Sequence, residues 1–158
     1  MASAYGRAPV GERVVDTKPA NWGKNFTVVG AISMDRIVCS ATFEGAMNTP
    51  RFVDFVRKKL VPRLHQGAVV VMDNLRAHHA PEVRQLIEAA GCRLLHQPPY
   101  SPDLNPIELC WSFVKGHLRR LGKRTVETLL PAIRHALLRV RTGQLEGWFR
   151  HCGYPQCI

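Results

Sequence analysis

Five consecutive apolar residues, Ala68-Val69-Val70-Val71-Met72, constrain the architecture of this chain more than any other segment. A strand with one wet face alternates apolar and polar residues. A short, uniformly apolar run instead predicts a strand covered on both faces, as in a sheet layered between helices. The run ends in Asp73-Asn74, so this strand carries a carboxylate at its carboxyl end. In open α/β sheets, sites form beyond that end of the strands.

The flanking segments supply the rest of such a fold. Asn25 to Ile32 and Ile37 to Phe43 are rich in β-branched residues and bracket Ser33-Met34-Asp35-Arg36, which predicts a hairpin. Thr49-Pro50 predicts a helix start, with threonine as N-cap and proline at the first helical position. That helix runs to about Leu60, with Phe52, Val53, Phe55, Val56 and Leu60 on its apolar side. Pro81 to Ala90 reads as a helix stopped by Gly91, and Arg93 to Gln97 as a short strand.

Asn105-Pro106 opens the next helix, in which Ile107, Trp111, Val114, Leu118 and Leu121 recur at helical spacing. Thr125 caps a last long helix with Val126, Leu129, Leu130, Ile133, Leu137 and Val140 on one stripe. Pro131 marks a kink or a later start within it. Residues 5–24 read as a loop-like lead-in. The order strand, strand, helix, strand, helix, strand, helix, helix predicts a single α/β domain with a mixed sheet.

The chain is strongly basic: 22 Lys and Arg against 12 Asp and Glu give a net charge of +10. Such a surface attracts polyanions, and nucleic acid is the expected partner. The late cluster Lys115, Arg119, Arg120, Lys123 and Arg124, followed by Arg134, Arg139 and Arg141, reads as a surface for the DNA backbone or as solvated helix faces. No apolar stretch reaches the roughly 20 residues of a membrane span, and the first residues lack the apolar middle of a secretory signal. The expectation is a soluble protein of the cytoplasm, associated with the nucleoid. Five cysteines at irregular spacings form no zinc pattern and are expected to be reduced thiols.

Glu108 follows the loop Pro98-Pro99-Tyr100-Ser101-Pro102-Asp103-Leu104-Asn105-Pro106, with 34 residues between it and Asp73. Each acid has a plain structural reading. Asp73-Asn74 begins a turn, and Glu108 sits three residues after Asn105 as the return arm of a capping box. Together they have another reading. An acid at a strand end and an acid in the first turn of a later helix meet at one crevice and grip a shared divalent ion there. Asp103 is the nearby rival acid. His78, His79 and His96 approach the same crevice, and Trp111 and Trp148 are expected in the core.

The segment Pro99-Tyr100-Ser101-Pro102-Asp103-Leu104-Asn105-Pro106-Ile107-Glu108, following Met72-Asp73-Asn74, resembles the bacterial insertion-sequence transposases related to mariner, within the Asp-Asp-Glu superfamily. Tyr5-Gly6-Arg7-Ala8-Pro9, Asn21-Trp22-Gly23-Lys24-Asn25, Leu75-Arg76-Ala77-His78 and residues 147–154 also resemble it, and the family spaces its second and third acids as here. The resemblance implies a ribonuclease-H-like domain that cuts and joins DNA strands. It implies two divalent ions, Mg²⁺ or Mn²⁺, with Asp73 and Glu108 as the second and third carboxylate ligands.

The family's first Asp lies on a strand before the Tyr-Gly-Arg segment, which here begins at Tyr5. Neither Asp16 nor Asp35 matches that position. The expectation is a partial catalytic domain over residues 1–158, lacking the first central strand and the helix-turn-helix region that recognises element ends. Such a chain is inactive alone and has open sheet edges. It is either a decayed remnant or the downstream half of a split or frameshifted enzyme, whose partners are DNA, the upstream half and, when intact, a second copy. Two alternatives are a non-catalytic basic DNA-binding remnant and a structure-specific nuclease, the latter needing a third acid within the chain.

Overall fold

The computed structural model describes residues 9–11, 25–121 and 126–154. The predicted hairpin forms. Strand β1 (Phe26–Ile32) pairs antiparallel with β2 (Ile37–Glu44), from Phe26 opposite Glu44 to Ala31 opposite Cys39, with an irregularity at Ile32. The turn is fastened by Ser33, whose amide donates to the Arg36 carbonyl and whose hydroxyl donates to the Asp35 carboxylate.

Helix α1 (Thr49–Phe55) is capped one residue earlier than the sequence suggests. Asn48, not Thr49, is the cap, and its side-chain oxygen accepts from the Arg51 amide at 3.0 Å. The helix then widens into a π turn (Val56–Leu60) and tightens into a 3-10 turn (Val61–Arg63). Pro62 has no N–H to continue the α-helical ladder, which accounts for the change of winding there.

Strands β3 (Val69–Met72) and β4 (Arg93–His96) are parallel, in register from Val69 opposite Arg93 to Met72 opposite His96. Helix α2 (Pro81–Ala89) makes the crossover. Gly91 follows with φ of 71°, the left-handed conformation that lets the chain leave a helix sharply. Helix α3 (Pro106–Leu121) begins where Asn105-Pro106 predicts. Helix α4 (Val126–Leu138) runs through Pro131 unbroken and ends before Val140. A further helix, α5 (Thr142–His151), is not anticipated by the sequence reading. Its start is held by the Gln144 side chain, which accepts from the Arg141 amide at 3.1 Å. Thr125, the expected cap of α4, lies outside the described residues.

The mixed sheet is present as two halves. The antiparallel pair β1–β2 and the parallel pair β3–β4 share no strand pairing. Two apolar clusters hold them. In the first, Phe52, Phe55, Val56 and Leu60 pack with Val83 and Ile87 of α2, Met72 of β3 and Leu94 of β4. In the second, Cys110, Val114 and Leu118 of α3 pack with Ala132, Ile133, Ala136 and Leu137 of α4, and Val28, Ile32 and Ile37 of the hairpin join them. Strand β1 is therefore covered on both faces, whereas β2 leaves Ser40, Thr42 and Glu44 exposed.

The β3–β4 pair is covered on one face only, which corrects the reading of Ala68–Met72 as buried on both. Val69, Val71 and Leu95 are 49%, 39% and 45% exposed. The α3–α4 layer that covers the second face of the hairpin does not extend over β3. Trp111 packs with the second cluster, as does Trp148, in agreement with their expected core role. Cys39, Cys92, Cys110 and Cys152 are buried free thiols, and burial pushes the Cys110 thiol up to about 11. Cys157 lies outside the described residues. No described helix is long and apolar enough to cross a membrane.

Trp111 reaches the hairpin at Gly30. A Cβ added there would lie 3.1 Å from the indole and 3.2 Å from the Cys39 carbonyl oxygen. Because the second contact is main chain, it cannot swing aside. Gly30→Ala is expected to cost about 1–3 kcal/mol, as overpacking does, and urea unfolding measures it. An unchanged midpoint would show that α3 does not pack on β1 in this way.

Candidate active site

Asp73 leaves the end of β3, and a short turn fixes its side chain. The carboxylate oxygen Oδ1 accepts from the Leu75 amide at 3.0 Å, and His78 Nδ1 lies 2.7 Å from the same oxygen. The His78 ring is largely buried against Phe52, with ring centroids 4.3 Å apart. An apolar residue of α1 therefore sets the imidazole that steadies Asp73. Oδ2 is engaged by none of the described residues and remains available to a ligand.

Glu108 stands exposed in the first turn of α3, its amide donating to the Asn105 carbonyl at 3.1 Å. One buried residue braces the two acid-bearing segments. The Gln97 amide donates to the Met72 carbonyl at 2.8 Å, just before Asp73. Its carbonyl accepts from Asn74 Nδ2 at 2.6 Å, just after Asp73. Its side-chain Nε2 donates to the Leu104 carbonyl at 2.7 Å, in the loop that leads into Glu108. Tyr154 Oη also donates to Leu104, at 3.0 Å, so the C-terminal segment supports the same loop.

Asp73 and Glu108 line one cleft of about 190 Å³, together with Asn74, Gln97, Ser101 and Asn105 and the apolar surface of Pro98, Tyr100 and Pro102. The two acids expected at one crevice both line this cleft. Asp103 does not line this cleft. It lies in the 3-10 turn Pro102–Leu104 on the side of Cys152, whose thiol its charge helps push upward after burial.

The histidines divide. His78 contacts Asp73, whereas His79 stacks on His96 with ring centroids 4.1 Å apart and reaches Asn74 Oδ1 at 3.2 Å. Burial, followed by the charge of His79, lowers the His96 pKa. Among the described residues no three His, Cys, Asp or Glu side chains converge as a metal-holding group. A pair of carboxylates nonetheless suits Mg²⁺, which takes one or two of them and fills its remaining positions with water and substrate phosphate oxygens. Asp73 and Glu108 are the residues that would hold it.

The basic cluster begins on the same helix as Glu108. Lys115 and Arg119 follow Glu108 by about two and three turns of α3, some 10 and 16 Å along its axis, on nearly the same stripe. Lys115, Arg119 and Arg120 are exposed, as are Arg134, Arg139 and Arg141. Lys123 and Arg124 lie outside the described residues. A row of cations thus leads away from the cleft.

The family described as DDE superfamily endonuclease matches residues 1–129. No curated protein matches the sequence. The fold is similar to the crystal structure of the Mos1 strand transfer complex, with a TM-score of 0.71 and 16% identity over 97% of this chain. It is similar to the Mos1 mariner paired end complex with Mn, at a TM-score of 0.68 and 17% identity over 97% of this chain and 47% of that one. It is also similar to the Mos1 transposase catalytic domain with Raltegravir and Mg, at 0.61 and 20% over 83% of this chain and 70% of that one. The chain spans about half of the strand-transfer-complex chain, 46%. At identities this low the superpositions show a shared fold alone, the mixed α/β fold of those structures.

Proposed function

Because this chain belongs to the DDE superfamily endonucleases, we propose that it is catalytic-domain material of a DNA transposase, cutting and transferring DNA strands with divalent metal ions. The observation that carries the reading is the shared cleft of Asp73 and Glu108. The two residues act as metal ligands, with Mg²⁺ or Mn²⁺ as the ion and two ions in the intact site. Bound there, such ions activate the attacking hydroxyl and stabilise the leaving oxygen of a phosphodiester.

The protein's own residues do the positioning. His78 and the Leu75 amide hold one oxygen of Asp73 and leave the other facing ligand. Gln97 fixes the spacing of β3 to the loop before Glu108. Lys115, Arg119, Arg120, Lys123 and Arg124 bind the DNA backbone. The partners are DNA, both element ends and target, and a second copy in the intact assembly. A second polypeptide, the upstream half of a split enzyme, supplies the remaining acid. Residues 1–158 are catalytic-domain material. This chain alone is inactive, and it works in the cytoplasm at the nucleoid.

A Mn²⁺ titration followed by electron paramagnetic resonance tests the metal assignment. Asp73→Asn and Glu108→Gln are each expected to weaken binding by at least about tenfold, since even residues that merely support a metal ligand have effects of that size. Equal affinity in all three proteins would sink the assignment.

One observation favours the second reading, a non-catalytic DNA-binding remnant: no third ligand joins the two acids among the described residues. Both readings share the basic surface. Replacing Lys115, Arg119 and Arg120 together by alanine is expected to reduce the slope of log affinity against log salt by about 2–3 units on duplex DNA, near 0.9 for each phosphate no longer neutralised. An unaltered slope would assign those cations to solvent.

A further inference from the structure

We propose that His117, Arg120, His135 and Arg139 form a binding site for one phosphate group, in the groove between α3 and α4.

Helix geometry brings the four together. His117 and Arg120 are neighbours on one face of α3, a turn apart. His135 and Arg139 are likewise a turn apart on α4 and the turn that closes it, where the Arg139 amide donates to the Ala136 carbonyl at 3.2 Å. The two helices pack through Val114 and Leu118 against Ala132, Ile133 and Ala136. Beside that seam the rings of His117 and His135 meet, with centroids 5.6 Å apart and planes tilted by 37°. His117 is half-buried, whereas Arg120, His135 and Arg139 are exposed.

This cluster lacks a hydrogen-bond partner and a counter-charge. His117 Nε2 is buried and has no partner among the described residues. An unpaired buried polar atom is costly, and a ligand that pairs it removes the cost. The charges that act on His117 are Arg139, His135 and Arg120, all basic, and after burial they hold its pKa below the usual histidine value. Helix α5 also faces α3, through Trp148 against Phe113, and adds no charge to these.

Two guanidiniums and two imidazoles with no carboxylate acting on them repel cations and select an anion. Phosphate suits them best, because its several oxygens accept hydrogen bonds in different directions and match the arginine fork. The exposed His135 ring changes rotamer readily and opens His117 Nε2 to the ligand. The anion then offsets the arginines, so His117 takes up a proton as phosphate binds.

The groove is separate from the acids. His117 follows Glu108 by about two and a half turns, which places the two on opposite faces of α3. The inference therefore does not rest on the carboxylates or on a metal. The phosphate belongs either to a DNA backbone that passes this face or to a small free phosphate, and the chemistry of recognition is the same.

Proton NMR of the histidine rings tests this in the full chain without divalent metal. The pH titration of His117 is followed in chloride and in inorganic phosphate at equal ionic strength. With phosphate, about tenfold less acid is expected to half-protonate His117, the effect of one opposite charge at close range. His151, exposed on α5, is the internal control, and its titration is expected to be the same in both salts. His135→Gln combined with Arg139→Gln changes only exposed side chains and is expected to abolish the difference at His117. A short DNA duplex in place of inorganic phosphate identifies the source. An equal change with the duplex assigns the site to backbone phosphate, and a change with inorganic phosphate alone assigns it to a free phosphate. No change with either ligand, an equal change at His151, or a change that persists in the double variant overturns the proposal.

Discussion

In a DNA-cleaving assembly of the proposed kind that contains this chain, Asp73→Asn and Glu108→Gln are each expected to lower DNA strand cleavage by about 10³-fold, while Asp103→Asn stays within about twofold. The size follows from the role. A metal-held transition state gains several kcal/mol of charge stabilisation, and about 4 kcal/mol corresponds to a factor of 10³. The contrast follows from position: Asp73 and Glu108 line the same cleft, and Asp103 does not. Nicking of supercoiled plasmid in Mn²⁺ or Mg²⁺ provides the measurement. If the Asp103 variant loses activity while Glu108→Gln keeps it, the third acid has been misassigned. If the unmodified chain nicks DNA by itself in an Asp73-dependent way, the need for a second polypeptide is wrong.

Ile87→Ala is expected to destabilise the fold by about 2–5 kcal/mol, the range for deleting a large aliphatic side chain from a closed core. Ile87 is fully buried, at 0% exposure, in the cluster that joins α1, α2, β3 and β4. Domains of this size have about 5–15 kcal/mol in total, so the loss is a large part of the whole. With each kcal/mol worth about 2–4 °C in a chain of this length, the thermal midpoint should fall by roughly 4–20 °C. Leu138→Ala is the control: Leu138 is 75% exposed and its loss should leave the midpoint nearly in place. Similar shifts in both variants would mean that the α2 cluster is not the core that carries stability.

Much of this fold is legible in the sequence where local chemistry is strong. The hairpin, the crossover helix stopped by Gly91 and the start of α3 at Asn105-Pro106 all follow from turn residues, caps and period. The places of Asp73 after β3 and of Glu108 in the first turn of α3 are legible because strand end and helix start are both sharply marked. What the sequence hides is decided over distance. Two adjacent residues, Asn48 and Thr49, both suit a cap, and only the hydrogen bond to Arg51 separates them. The run at Val69–Val71 looks doubly buried, because apolar composition records what a strand is suited to and not what covers it. Helix α5 is concealed by an apolar stripe that carries through Val140 and blurs the break before Thr142. The role of Gln97 leaves no trace in local pattern, since its three contacts lie at Met72, Asn74 and Leu104.

Gln97 makes the distance between the acids a shared property of the strand and the loop. Its main chain is locked to β3 on both sides of Asp73, and its amide nitrogen hooks the segment that ends at Glu108. Any drift of the strand drags the loop with it, and the separation survives although the absolute positions do not. A pair of acids gauged in this way tolerates remodelling of the surrounding frame, so long as the gauge itself is inherited whole.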